Sequence, residues 1–200
     1  MGGARRQIFI VFAGFLMVKK IGYSVSDIAA LYIINHPFNW AFAARIGALV
    51  GRIGERRALT FEYCGLFCVF TAYAFVNDAT WAAGLYIADH LFFSLAIAIK
   101  TYFQKIADPA DMASTAGVAF TINHIAEVVI LVLFGLIWLV SPKTVFLMGS
   151  GMALISLVLA SKIPLVPDAG NEVLVGKVPY LAVTASQQSV VAFWPWRVTS

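Results

Sequence analysis

Each of the three histidines lies inside a long apolar run and has other polar side chains beside it. Asp89 directly precedes His90, and Glu127 lies three residues after His124. A histidine next to a carboxylate can bind and release a proton near neutral pH. An ionisable group held inside a membrane tends to face the protein interior and to be functional. If these apolar runs cross a membrane, both pairs are candidates for a proton or solute pathway.

The tripeptide Ile-Asn-His occurs twice in the chain, around Asn35 and around Asn123. Asn35 and Asn39 lie one helical turn apart, and so do Asn123 and Glu127, so each set predicts a polar stripe towards a shared cavity. Two alternatives remain open. The shared tripeptide can arise by chance, and the asparagines can serve only as hydrogen-bonding groups between helices. Pro37 predicts a kink in the first of these helices.

Two arginines, Arg5 and Arg6, precede the first apolar run. They are either cytoplasmic anchors or membrane-embedded cations that face an anionic substrate or a carboxylate such as Glu127. The complete set of residues predicted for the substrate or proton pathway is Asn35, His36, Asn39, Asp89, His90, Asn123, His124, Glu127, Arg5 and Arg6.

The composition favours a membrane protein over a soluble one. Hydrophobic residues make up 61% of the 200 residues and charged residues only 12%, whereas soluble domains carry about 25% charged residues. No basic stripe with interleaved aromatic residues is present, so a nucleic-acid partner is not expected. Cys64 and Cys68 lie four residues apart in an apolar run, which favours a buried pair of small residues over a disulfide.

Five apolar segments approach the roughly twenty residues that a helix needs to cross a bilayer. A sixth run, Ile8–Val18, is too short unless its flanks join it or part of the helix precedes Met1. We therefore predict an all-α bundle of six transmembrane helices, arranged as a 3+3 inverted repeat in residues 1–164. The predicted helices cover residues 5–22, 28–49, 58–76, 79–99, 113–140 and 144–162.

The connections between these helices are predicted to be short, apart from a polar loop over residues 101–112. In that loop Asp108 and Pro109 predict the start of a helix. Pro142, which lies between the last two predicted helices, predicts another helix start. Residues 165–200 contain several helix breakers and read as a cytoplasmic tail that is largely disordered.

The turn between the second and third helices carries Arg52, Arg56 and Arg57. Short loops rich in Lys and Arg stay in the cytoplasm, so alternation places both chain ends there as well. We expect an integral protein of the plasma membrane, which in a bacterium is the inner membrane.

Residues 47–57 read Gly-x-Leu-x-Gly-Arg-x-Gly-x-Arg-Arg, with Glu55 before the final two arginines. This stretch resembles the basic loop motif of the major facilitator superfamily, G-x-L-x-D-R-x-G-R-R. Gly51 replaces the usual acidic residue and Glu55 a usual basic one, departures that look more like the copy in the second half of such transporters. The motif residues are Gly47, Gly51, Arg52, Gly54, Arg56 and Arg57.

The resemblance covers residues 4–164 and implies the C-terminal half of a transporter that normally has twelve helices. It implies alternating-access transport of a small solute, which the carboxylate and histidine pairs would couple to protons. It also implies that the motif glycines let helices approach closely and that its arginines pin a cytoplasmic gate. The implied partners are the lipid bilayer, the solute and a missing N-terminal six-helix half.

Two other function classes compete with transport. The three histidines with Asp89 and Glu127 could hold one metal in a membrane metalloenzyme, but no HExxH motif or closely spaced histidine box is present. The chain could instead be a scaffold or assembly subunit that transports nothing. We expect no enzymatic activity, no cofactor and no metal.

Overall fold

The computed structural model describes residues 2–107, 112–165 and Leu174. Every regular element in this part of the chain is a helix. The helices are α1 (Gly2–Leu16), continued by a π-helical turn at Met17–Ile21, α2 (Val25–Ile53), α3 (Glu55–Phe75), α4 (Ala79–Ser94), α5 (Ile97–Ile106), α6 (Met112–Val140) and α7 (Pro142–Ser161).

Four helical units among the described residues are long and apolar enough to cross a membrane: α3, α4 together with α5, α6 and α7. The helical backbone also extends the short apolar run 8–18 in both directions, because α1 and its π turn cover Gly2–Ile21. The predicted all-α membrane helix bundle is confirmed.

Local side chains start the helices where the sequence indicates. Ser24 and Asp27 form a reciprocal capping box at the start of α2, in which the Asp27 backbone N–H donates to the Ser24 hydroxyl over 3.1 Å. The Asp78 carboxylate accepts from the Trp81 backbone N–H at 3.0 Å before α4. Pro142 occupies the first turn of α7, where a missing N–H costs nothing.

The predicted loop over residues 101–112 is wrong in its first half. Helix α5 continues to Ile106, and Lys105 in its last turn pairs with the buried carboxylate of Glu55 at 2.7 Å. The long fourth unit is interrupted instead at Leu95 and Ala96, where the backbone makes i→i+3 hydrogen bonds. The Ser94 hydroxyl donates to the carbonyl of Leu91, a local bond that competes with the regular helical ladder. The predicted start at Asp108 lies outside the described residues.

The centre of the bundle is the contact between α3 and α7. Small residues allow it: a Cβ added to Gly149 of α7 would stand only 2.7 Å from the Phe70 ring of α3. The hydroxyls of Thr71 and Ser150 hydrogen-bond across the same contact at 2.8 Å. Helices in membranes associate through this combination of small residues and polar bridges.

The neighbours of each helix follow a twofold pattern. Helix α1 packs on α6 and α7, the unit α4–α5 packs on α2 and α3, and α3 packs on α7. Exchanging α1 with α4–α5, α2 with α6 and α3 with α7 leaves these neighbour relations unchanged. A 3+3 repeat produces such a pattern, and Asn35 and Asn123 lie on the exchanged helices α2 and α6.

The connections gather at two opposite ends of the bundle. At one end the Lys20 ammonium donates to the Val76 carbonyl at 2.9 Å, and Lys143 lies 4.1 Å from the centre of the Phe75 ring. At the other end Glu55 pairs with Lys105 at 2.7 Å. The chain therefore alternates between the ends, as predicted for successive spans.

Candidate proton and solute site

Asp89 and His90 bring a buried carboxylate and an imidazole together on α4. Asp89 is only 4% exposed, and its Oδ2 lies 3.9 Å from His90 Nδ1. That nitrogen also lies 3.0 Å from the carbonyl of Tyr86 one turn earlier. If Nδ1 carries the hydrogen in neutral His90, it donates to this carbonyl and Nε2 becomes the position that gains a proton.

Aromatic rings from α4 itself and from α1 lie beside this pair. The Tyr86 ring centre lies 4.6 Å from that of His90, and Phe9 of α1 lies 6.4 Å from it. Phe9 also meets Tyr73 of α3 edge to face at 5.1 Å. The Tyr73 hydroxyl donates to the carbonyl of Ala82 on α4 at 2.6 Å. Rings from α1 and α4 thus border His90, and Asp89 beside it is shielded from solvent, which strengthens any electrostatic interaction it makes.

A second pair lies on α6. His124 Nδ1 stands 3.2 Å from Glu127 Oε2, and the Phe120 ring packs on the imidazole at 4.1 Å between centres. The His124 side chain is 57% exposed and that of Glu127 22%, so this pair is far more open than Asp89 and His90. Asn123, next to it, is half-buried.

The two acid–histidine pairs do not come together in one cluster among the described residues. Helix α6 packs on α1 and α7, whereas Phe9 of α1 faces His90 on α4. Helix α1 thus contacts both of the helices that carry these pairs. A shared cavity between α2 and α6 stays a prediction, since these helices have different principal neighbours.

Asn35 contributes a buried amide on α2. The residue is 4% exposed, and its Nδ2 has no hydrogen-bond partner among the described residues. Leaving such a donor unsatisfied costs about 1–3 kcal/mol, and a polar ligand would relieve that cost. His36 and Asn39 lie on the same helix, but their side chains lie outside the described part of the structure, as do those of Arg5 and Arg6.

Glu62 is a buried carboxyl that is absent from the candidates chosen by sequence. Its side chain is fully enclosed in α3, and it lies seven residues from Glu55, about 10 Å along one helical face. The sequence did indicate this residue, because an ionisable side chain inside a predicted span was the criterion that selected Asp89, and Glu62 lies inside the predicted span 58–76. Its enclosure by other helices could not be read from spacing alone.

The loop motif forms the tight connection between α2 and α3. Gly54 alone separates the two helices and has a φ of 83°, a conformation that glycine adopts without strain. The carboxylate of Glu55, which departs from the motif, is buried and pairs with half-exposed Lys105 at the end of α5. Arg52 and Arg57 are exposed and Arg56 is half-buried.

The other two motif glycines have open surroundings. A Cβ on Gly47 or Gly51 would meet no atom of the described chain within 4 Å. Close helix approach occurs instead at Gly149 and at Gly65, whose added Cβ would stand 2.4 Å from the Phe92 ring. A role for Gly47 and Gly51 in packing stays a prediction, which requires a partner outside this chain.

Cys64 and Cys68 are exposed, so their predicted burial is wrong. They lie on the outer side of α3, and both are free thiols. Among residues 2–107 and 112–165, no group of three or more His, Cys, Asp or Glu side chains is placed to hold a metal ion.

Comparison with known proteins gives one informative similarity. The chain is 26% identical over 143 residues to an uncharacterised MFS-type transporter of Methanocaldococcus jannaschii. The aligned region covers 71% of this chain and 36% of that protein, so the chain spans about a third of the length of its relative. No family model matches the sequence, and no solved structure matches it. The similarity and the apolar helices together link this integral membrane protein to MFS-type transporters.

Proposed function

We propose that this chain is the C-terminal six-helix half of a secondary transporter, which couples the movement of a small solute to protons by alternating access. The similarity to an MFS-type transporter supports the general class. The observation that carries proton coupling is the burial of Asp89 beside His90 in a unit long enough to cross the membrane.

A carboxylate at the centre of a membrane helix costs about 2.5–3.5 kcal/mol on insertion scales. An apolar residue at position 89 would avoid that cost, so the presence of a buried aspartate there implies a functional benefit. Proton binding supplies it: protonated Asp89 is neutral and suits the apolar enclosure, whereas the carboxylate is stabilised when His90 is charged.

A binding site for the solute would require a second group of helices facing this bundle. Alternating access in such folds places the substrate near the midplane, between two bundles that move against each other. The amide of Asn35 lies on α2, and the open pair of His124 and Glu127 lies on α6, which carries more exposed large apolar side chains than any other helix in the described part of the chain. We assign these polar groups to the wall that meets the missing N-terminal half.

We place the end with Arg52, Arg56 and Arg57 in the cytoplasm of the cell, following the bias of basic residues. Both chain ends then lie on that side, with the tail 165–200 beyond the last helix. The membrane would be the plasma membrane, which is the inner membrane in a bacterium.

The test uses proteoliposomes with an imposed pH gradient. The chain is reconstituted alone and together with the N-terminal six-helix half that the proposal requires, and a panel of small solutes is screened for solute-dependent proton entry with an internal pH dye. Asp89→Asn should lower coupled transport by at least tenfold. The matched control is Asp78→Asn, which removes a carboxylate outside the spans while keeping a good helix cap.

Two outcomes would contradict the proposal. Asp89→Asn and Asp78→Asn could behave alike, which would separate transport from the buried pair. Alternatively, no solute could produce proton entry in either preparation although the protein is folded. That second result would favour the non-transporting scaffold, which the exposed faces of α2 and α6 would also suit.

A further inference from the structure

An apolar groove of about 450 Å³ runs between α3 and α4 on the outside of the bundle. Small side chains form its floor, and a phenylalanine from each helix borders it. The lining includes Phe61, Cys64, Cys68 and Ala72 of α3 and Ala88 and Phe92 of α4. Phe61, Cys64 and Cys68 are exposed in the described chain, so the groove is open to its surroundings.

The groove is about as long as one membrane leaflet is thick, and it runs from the seventh to the eighteenth of the 21 residues of α3. Phe61 and Ala72 lie eleven residues apart, which corresponds to about 16 Å along a helix. The hydrocarbon core of a bilayer is about 30 Å thick, so half of it is about 15 Å. Both helices belong to units that can cross the membrane, and the surrounding medium at this depth is acyl chain.

A positive charge stands at one end of the groove. Arg57 lies four residues before Phe61 on the same helical stripe and is exposed. The separation along α3 is about 6 Å, which an arginine side chain spans easily. The nearby Glu55 carboxylate is engaged by Lys105 at 2.7 Å. The N-terminal end of α3 adds a further positive dipole end.

We propose that this groove binds one acyl chain of an anionic phospholipid from the leaflet at the arginine end, with its phosphate beside Arg57. Shape, apolar lining and charge all match this one occupant. The bound chain would lie along Ala88 and Phe92 and so flank Asp89 on α4. The lipid would therefore contact the helix that carries the buried acid–histidine pair.

Photocrosslinking of the full chain in phosphatidylcholine vesicles tests the proposal. The vesicles contain a small fraction of phosphatidylglycerol whose acyl chain carries a diazirine, and adducts are mapped by peptide mass spectrometry. Adducts should concentrate on the groove residues of α3 and α4. Ala72→Phe should fill the groove and reduce them, while Leu154→Phe on the exposed side of α7 should not.

A second experiment tests the contact with the lipid headgroup. One basic residue near an anionic headgroup changes binding by about fivefold, so Arg57→Gln should lower the phosphatidylglycerol adduct by about that factor. It should leave the yield of a phosphatidylcholine probe unchanged. Lys143→Gln at the opposite end of the bundle is the control and should alter neither yield.

The mapping of adducts uses the unmodified chain, so it does not depend on the folding of any variant. Circular dichroism checks that the variants are folded. Adducts spread evenly over the outer faces of α3, α6 and α7 would overturn the proposal, because they would reflect bulk lipid. Equal effects of Ala72→Phe and Leu154→Phe would overturn it too. Adducts confined to other faces of the bundle would also overturn the proposal, because they would place the anionic lipid outside the groove.

Discussion

Two glycines on one helix provide a test of the central packing between α3 and α7. An added Cβ at Gly149 would stand 2.7 Å from the Phe70 ring, whereas one at Gly151 would meet nothing within 4 Å. Phe70 is 1% exposed in the core and packs edge to face with Phe9 at 5.6 Å. Its ring therefore has little room to move away from a methyl group at residue 149.

The magnitude follows from two opposing effects. Replacing glycine by alanine inside a helix gains about 1 kcal/mol from propensity in water, and this gain applies to both positions. Overpacking a tight contact costs about 1–3 kcal/mol, and this cost applies only at Gly149. Gly151→Ala should therefore be neutral or stabilising, and Gly149→Ala should be less stable than Gly151→Ala by about 1–3 kcal/mol.

The assay is reversible unfolding in mixed micelles, followed by circular dichroism as the fraction of denaturing detergent rises. Comparing the two variants with each other cancels the propensity gain. Equal midpoints for Gly149→Ala and Gly151→Ala would refute the tight α3–α7 contact. A normal stability for Gly149→Ala with a compensating Phe70→Leu change would support it further, because the smaller side chain leaves space for the added methyl group.

Other predictions use the same unfolding assay. Lys105→Met should destabilise by about 1–2 kcal/mol, because it leaves the buried carboxylate of Glu55 without its cation while the half-exposed position of Lys105 limits the loss. The charge-swapped double variant, Glu55→Lys combined with Lys105→Glu, should restore part of that loss, and an unchanged midpoint for Lys105→Met would show that the 2.7 Å pair does not hold α3 to α5. Asn35→Leu should leave stability unchanged or raise it by about 1 kcal/mol, because it removes a buried donor that has no partner in the described chain. The same variant should impair solute transport, and a loss of stability with intact transport would contradict the assignment of Asn35 to the solute wall.

Helix positions followed from the sequence because lipid imposes a simple requirement. A span must be apolar over about twenty residues, and the runs at residues 58–76 and 144–162 fall within three residues of the ends of α3 and α7. The extension of α5 to Ile106 was not predictable in this way. It depends on Lys105 reaching Glu55, a residue fifty positions away, and no local pattern reveals that pairing.

The candidate site shows the same difference between features that the local sequence indicates and features that depend on tertiary packing. His124 and Glu127 have the i,i+3 spacing that puts two side chains on one helical face, and Asp89 and His90 are adjacent in the sequence, so the sequence alone indicated both pairs. Their different exposure comes from tertiary packing, since Phe9 of α1 covers His90 and nothing comparable from another helix of the described chain covers His124.

The cysteines show why burial is hard to predict in a membrane protein. In water, an apolar run with small residues at helical spacing marks a face that packs inward. In a bilayer the surroundings are as apolar as the interior, so hydrophobicity does not distinguish the two sides of a helix. Cys64 and Cys68 accordingly lie on the outside of α3. The polar residues are better guides, because Asp89, Asn35 and Glu62 are all buried.

The distribution of exposed surface bears on whether this bundle functions alone. Every side chain of α6 from Ala113 to Ile122 is exposed, and the packing of α6 is concentrated near Phe134 and Trp138, which meet Phe12 of α1. A helix that rested only against lipid would not need the polar pair His124 and Glu127, which lies just beyond this open stretch. A second bundle against α2 and α6 accounts for both observations, because it would cover the pair.

In a background with both native cysteines replaced by alanine, a nitroxide label attached in detergent to a cysteine at Ile125 of α6 should be accessible to oxygen dissolved in the bilayer when the chain is reconstituted alone. Its oxygen accessibility, measured by power-saturation EPR, should fall when the proposed N-terminal half is present. The same label at Ile155 of α7, equally exposed in the described chain at 58% against 61% for Ile125, should have the same accessibility in both cases. Protection of both positions would indicate general aggregation, and protection of neither would show that α6 faces lipid in the assembled protein.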